Sequence, residues 1–237
     1  MIKNKILLIL ALLLILSSCQ QKGYVLFTKK QNEIINSQDL KDFLNTHKNP
    51  SIVLRAPNIS STIAESEYNR MIYNTIEKEL LNSGFNVRDR TMFSEVLKRK
   101  SDLSYSEIYK ITKTDLILEL TNIDTSVEFT TNKIYTEENQ EKVYDYYSVT
   151  RVGATIEFKL ILLYENKLVG SYTFNYTPCT SNNGDCRCAI AYKPTSLNQY
   201  YNYCKNNEKI AYENMDYNEV NEFVKLGIRE FINQIKN

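Results

Sequence analysis

Two spacings of apolar residues run through this chain, one of two positions and one of three to four, and they divide it into strands and helices. Ile52, Val53 and Leu54 are contiguous within Ser51 to Arg55 and Pro57 follows, the pattern of a strand covered on both faces. Thr62 and Glu65 form an S/T-x-x-E capping box, and Ala64, Tyr68, Met71, Ile72, Ile76 and Leu80 then mark one helix of about 20 residues ending at Gly84. Phe85 to Arg88 reads as a short strand, and the helix after it carries Met92, Phe93, Val96 and Leu97. A second capping box, Ser104 with Glu107, starts a short helix with Ile108 and Ile111 on its face. Asp115 to Thr121 alternates around Leu116, Leu118 and Leu120. Ile156, Phe158, Leu160 and Leu162 alternate with Thr155, Glu157 and Lys159; Glu165-Asn166-Lys167 turns the chain, and Leu168 to Tyr176 returns as a hairpin arm. Asp216 and Glu219 open a last helix with Val220, Phe223, Val224, Ile228, Phe231, Ile232 and Ile235 on one face.

This order predicts an α/β (α+β) fold, a central mixed sheet with helices packed on it, plus a disulfide-linked insertion. Residues 19–50 read as a polar tether with one short helix, and residues 51–237 as the α/β domain with a cysteine-rich insertion at 178–205. From 122 to 148 the chain is polar and rich in tyrosine, and only Val143 to Val149 suggests an edge strand.

Lys3 and Lys5 precede an unbroken apolar run from Ile6 to Leu16. Eleven residues are too few for a bilayer core that needs ~20 in a helix, so residues 1–18 read as an export signal. Leu16-Ser17-Ser18-Cys19 resembles the lipobox of bacterial lipoproteins, which implies lipidation of Cys19 and a membrane partnership through a lipid anchor. In the sorting pattern of such lipoproteins, Gln20 rather than Asp after the cysteine implies an outer-membrane protein facing the periplasm. Removing residues 1–18 takes two lysines and no acid, moving the formal charge from +1 to −1. Near-neutral charge without a basic cluster argues against a nucleic-acid partner.

Four cysteines remain beyond Cys19: Cys179, Cys186, Cys188 and Cys204. An even number in an exported chain implies disulfides, here within a turn-rich, polar segment too poor in apolar residues to order itself. Bonding Cys186 to Cys188 is strained, which leaves 179 with 186 and 188 with 204, or 179 with 188 and 186 with 204. A four-thiolate zinc site is the weaker reading, because C-x6-C-x-C-x15-C lacks the two C-x2-C pairs such sites use.

Catalytic chemistry finds little support. His47 is the single histidine, no glycine-rich phosphate loop exists, and no cofactor is implied. Asp89 at a helix start is explained by capping. Arg55 and Asn58 stand at the carboxyl end of the first strand, where α/β folds bind ligands, though a solvated strand end explains them too. Asp115 and Glu119 lie ~13 Å apart along a strand at ~3.3 Å per residue, beyond the ~9.5 Å limit for a glycosidase pair. Tyr146, Tyr147, Tyr200 and Tyr201 are the candidate partner-binding residues, since tyrosine offers contact area at low entropic cost.

The run Ile76-Glu77-Lys78-Glu79-Leu80-Leu81-Asn82-Ser83-Gly84-Phe85-Asn86-Val87-Arg88-Asp89-Arg90, with Phe93, Val96, Leu97 and the strand Thr114 to Leu120, resembles a superfamily of envelope proteins. Its members include curli-secretion lipoproteins, outer-membrane lipoprotein activators of penicillin-binding proteins and the N-terminal domain of the Tol-system propeller protein. The resemblance spans about residues 51–176 and implies a non-catalytic, periplasm-facing accessory or scaffold lipoprotein that binds an envelope protein. The alternative it implies is a homo-oligomeric subunit of a curli-like secretion or assembly complex, although the acids and lysines between Asn122 and Thr150 argue against a large membrane pore.

Overall fold

A computed structural model describes residues 21–55, 67–99, 103–146, 148–179, 188–192, 202–204, 207–210 and 215–236. The chain divides into two compact units, one built from residues 1–29, 128–151 and 177–213 and the other from residues 30–127, 152–176 and 214–237.

The second unit carries the predicted α/β core. Its elements are β2 (Glu33–Asn36), α1 (Gln38–Thr46), β3 (Ser51–Arg55), α2 (Glu67–Asn82), β4 (Asn86–Val87), α3 (Arg90–Arg99) and α4 (Tyr105–Thr112). Most of β5 (Leu116–Thr131) and β8 (Val149–Leu162) follows, with β9 (Lys167–Tyr176) and α5 (Tyr217–Lys236). The strand order is β2-β9-β8-β5-β3-β4, with β3 parallel to β4 and β5, and β9 antiparallel to β8 and β2.

The contiguous Ile52-Val53-Leu54 run has the cause expected of it, because helices cover both faces of β3. Ile52 and Leu54 join Leu116, Leu118, Phe158 and Phe174 beneath α1, α2 and α5, which contribute Phe43, Ile76 and Phe231. Val53 and Ile117 face the other way and pack with Phe93 of α3 and Ile108 of α4. The Ser104–Glu107 capping box is formed, Asp216 and Glu219 exchange reciprocal bonds at the start of α5, and the hairpin pairs Ala154 with Tyr176 through Leu162 with Lys167. The first capping box, Thr62 with Glu65, lies outside the described residues.

The other unit is a sheet of β1 (Gln21–Val25), β6 (Lys133–Thr136), β7 (Glu141–Val143), β10 (Cys188–Tyr192), β11 (Asn202–Cys204) and β12 (Asn207–Ile210). Its strand order is β12-β11-β10-β1-β6-β7. Val25, Phe27, Ile134, Val149 and Cys179 form its described core.

Residues 21–46 thus differ from the tether read in the sequence. Tyr24, Val25 and Phe27 are buried, β2 adds an edge to β9, and α1 buries Leu40 and Phe43 behind an N-cap in which Ser37 Oγ accepts from Leu40 N. The domain read as continuous from 51 to 237 is likewise shared between the two units. The polar stretch 122–148 is largely strand, and the segment Val143 to Val149 spans the end of β7, a turn and the start of β8.

Candidate functional site

A groove of about 470 Å³ opens in the second unit where β4, the edge strand of its sheet, runs into α3 beside the end of α4. Asp89 starts α3: its Oδ1 accepts from Met92 N at 2.7 Å, so capping accounts for this carboxylate. Phe93 pins the helix to the sheet and forms the groove floor with Val87 and Val96. α4 ends at Lys113, whose φ of 52° is left-handed and turns the chain into Thr114. Met92 and Ile111, expected to lie on the core faces of their helices, instead stand at the groove 70% and 48% exposed.

The polar lining is incompletely satisfied. Thr114 is fully buried and its Oγ1 has no hydrogen-bond partner, and the buried Arg88 Nε has none either. Arg88 Nη2 reaches only Lys113 O, at 3.5 Å. Leaving a buried donor or acceptor unpaired costs about 1–3 kcal/mol. The edge adds to this. Asn86 N donates to Pro50 O and Arg88 N to Ile52 O, so alternation directs the N–H and C=O of Val87 away from β3, toward the open side. An apolar floor with a few convergent donors and acceptors suits a binding site.

The other candidates have internal partners. Arg55 Nη1 lies 3.2 Å from Tyr105 Oη and 3.6 Å from Glu119 Oε1, and Asn58 is outside the described residues. Asp115 Oδ2 accepts from Ser51 N and Ser51 Oγ, both at 2.7 Å, joining β3 to the start of β5. His47 caps α1 by its backbone N–H to Phe43 O and stacks on the Phe43 ring, centroids 4.3 Å apart. Among the described residues no group of three or more His, Cys, Asp or Glu could hold a metal ion.

Of the four candidate tyrosines, Tyr146 is fully exposed in the turn after β7, whereas Tyr147, Tyr200 and Tyr201 lie outside the described residues. The same unit presents a polar aromatic cluster that sequence reasoning passed over. Tyr24 stacks on Tyr135 at 5.3 Å, and Tyr135 Oη donates to Glu141 Oε2, while Glu141 Oε1 holds Lys133 Nζ at 2.8 Å. The hydrogen bond to Glu141 raises the pKa of Tyr135, and the Lys133 ammonium lowers that of Glu141. Sequence signals for the groove were similarly thin, because its residues come from two separate stretches, 87–96 and 111–114.

No family model and no curated protein matches the chain. Among solved structures, a dodecameric PelC variant from Paraburkholderia phytofirmans matches 88% of this chain and all of its own, at 9% identity and a TM-score of 0.37. Lipoprotein GNA1162 from Neisseria meningitidis matches over 57% of this chain and 88% of its own, at 16% identity and a TM-score of 0.31. Likeness at this level assigns neither a family nor a role to the chain.

Proposed function

We propose that this chain is a non-catalytic envelope lipoprotein, anchored through Cys19 in the outer membrane and facing the periplasm, that binds a polypeptide partner in the groove beside β4. The groove carries the reading. It combines exposed apolar side chains, Met92 and Ile111, with a buried hydroxyl and a guanidinium nitrogen that lack partners, at a strand edge able to pair with another backbone. Support for the anchor comes from the lipobox-like Leu16 to Cys19 segment and from Gln20 after it. Support for a role without chemistry comes from Arg55, Asp89 and Asp115, each engaged in a local bond that accounts for it. The tyrosines at 146, 147, 200 and 201 serve in this reading as a second contact surface.

A photocrosslinking side chain placed at position 92 or 111 of the full chain in cells tests it. Positions 35 and 226, exposed isoleucine and leucine sites elsewhere on the same unit, serve as controls. A discrete adduct from 92 and 111 but not from 35 and 226 is expected. Equal adducts from all four positions, or none from any, would remove the groove from the argument. An adduct made only of two copies of this chain would favour the oligomeric assembly subunit instead.

A further inference from the structure

Among the four cysteines after the hairpin, the backbone sets Cys188 opposite Cys204, which selects between the two pairings left open by the sequence. Cys188 opens β10 and Cys204 closes β11, and the two are Cα partners in that antiparallel pair, in register with Ala189 opposite Tyr203 and Ile190 opposite Asn202. Residues opposed in this manner share one face of the sheet, with Cα atoms about 4.5–5.5 Å apart. That separation falls within the ~4.4–6.8 Å window of a disulfide. On its other side β10 pairs with β1, where Cys188 faces Val25, so no second cysteine competes for that register position. Cys179 lies before β10 in the buried cluster of Val25, Phe27, Ile134 and Val149.

We propose that Cys188 bonds Cys204 and that Cys179 bonds Cys186. The first bond ties the outer strands β11 and β12 to β10 and so to β1; the second joins Cys179 to a residue two positions before the start of β10. Each bond forms when a thiolate attacks the disulfide of an envelope thiol–disulfide oxidoreductase and a second thiolate then displaces the enzyme from the mixed disulfide. Two thiols lose two protons and two electrons in all, and the oxidoreductase leaves as a dithiol.

The sequence supplies the means to test this. Arg187 stands between Cys186 and Cys188, while Lys193 is followed by Pro194 and resists trypsin. Cleavage after Lys167, Arg187 and Lys205 therefore yields fragments 168–187 and 188–205. The full chain, alkylated during extraction from envelopes and digested without reductant, is expected to give these as two separate species. Each should be two hydrogens lighter than its reduced form and carry no alkyl group. Any other complete pairing, including 179 with 188 and 186 with 204, joins the fragments into one two-chain species that separates only on reduction. Recovery of that joined species, or of alkylated cysteines in either fragment, would overturn the assignment. A Cys179→Ser, Cys186→Ser variant gives a second reading, since fragment 188–205 should keep its two-hydrogen deficit.

Discussion

Substituting Gly170→Ala should destabilise the second unit through a single contact. A methyl group at this position of β9 would sit 2.3 Å from the Tyr172 hydroxyl oxygen and 2.7 and 2.8 Å from Cζ and Cε2 of the same ring. Tyr172 cannot retreat without loss. It is almost completely buried, it meets Phe231 edge-on with centroids 4.7 Å apart, and its hydroxyl donates to Asn36 Oδ1 at 2.5 Å, linking β9 to β2. Forcing extra volume into a packed core costs about 1–3 kcal/mol, and stranding the hydroxyl adds about 1–3 kcal/mol. Against this, the stiffer unfolded chain returns about 0.4–1 kcal/mol. A net loss of about 2–4 kcal/mol, at roughly 2–4 °C per kcal/mol for a chain of this size, lowers the midpoint by about 5–15 °C. Thermal unfolding followed by circular dichroism reads this directly. Adding Tyr172→Phe deletes the nearest clashing atom, so the double variant should lose less than the two single variants summed. An unchanged midpoint for Gly170→Ala, or strictly additive losses, would refute the account of this contact.

Burial raises the pKa of Tyr172 above its ordinary value, so above pH ~10 the unfolded chain releases a proton that the folded one keeps, and stability falls as pH rises. Denaturant titrations from pH 9 to 11 should show a shallower alkaline loss for Tyr172→Phe than for the natural chain. Cys19→Ala should abolish incorporation of a fatty-acid probe, and label remaining on the variant would exclude lipidation at this residue. Replacing Tyr146, Tyr147, Tyr200 and Tyr201 with Ser should leave circular dichroism unchanged while reducing capture of the crosslinked partner; undiminished capture would discard that surface.

Elements with a strong internal rhythm were legible in the sequence. The hairpin from Ala154 to Tyr176 and the helix with Phe223, Val224, Ile228 and Phe231 on one face appear where periodicity puts them, because one face of each is buried throughout its length. Short strands were not legible. In Glu33-Ile34-Ile35-Asn36, Ile34 is partly buried and Ile35 is 66% exposed, so four residues at a sheet edge carry too little apolar signal to stand out from a tether. The division into two units was hidden for a topological reason, since β1 pairs with β10 across most of the chain and no local pattern encodes that partner. The groove was obscured because Met92 and Ile111 look like core residues on amphipathic helices, and only their placement shows them facing water.

The start of β1 at Gln21 also bears on how this protein would stand on a membrane. The strand begins two positions after Cys19, with Gln20 alone between them, and a chain advances at most ~3.6 Å per residue, so acylation at Cys19 would give the first strand a standoff of at most about 7 Å. A headgroup layer is about as thick, so the sheet containing β1 would rest against the bilayer surface instead of swinging on a stalk. Its encounters would then be two-dimensional. A partner would have to approach within the plane of the membrane, and the formal charge of −1 that removal of residues 1–18 would leave would offer anionic headgroups little to repel.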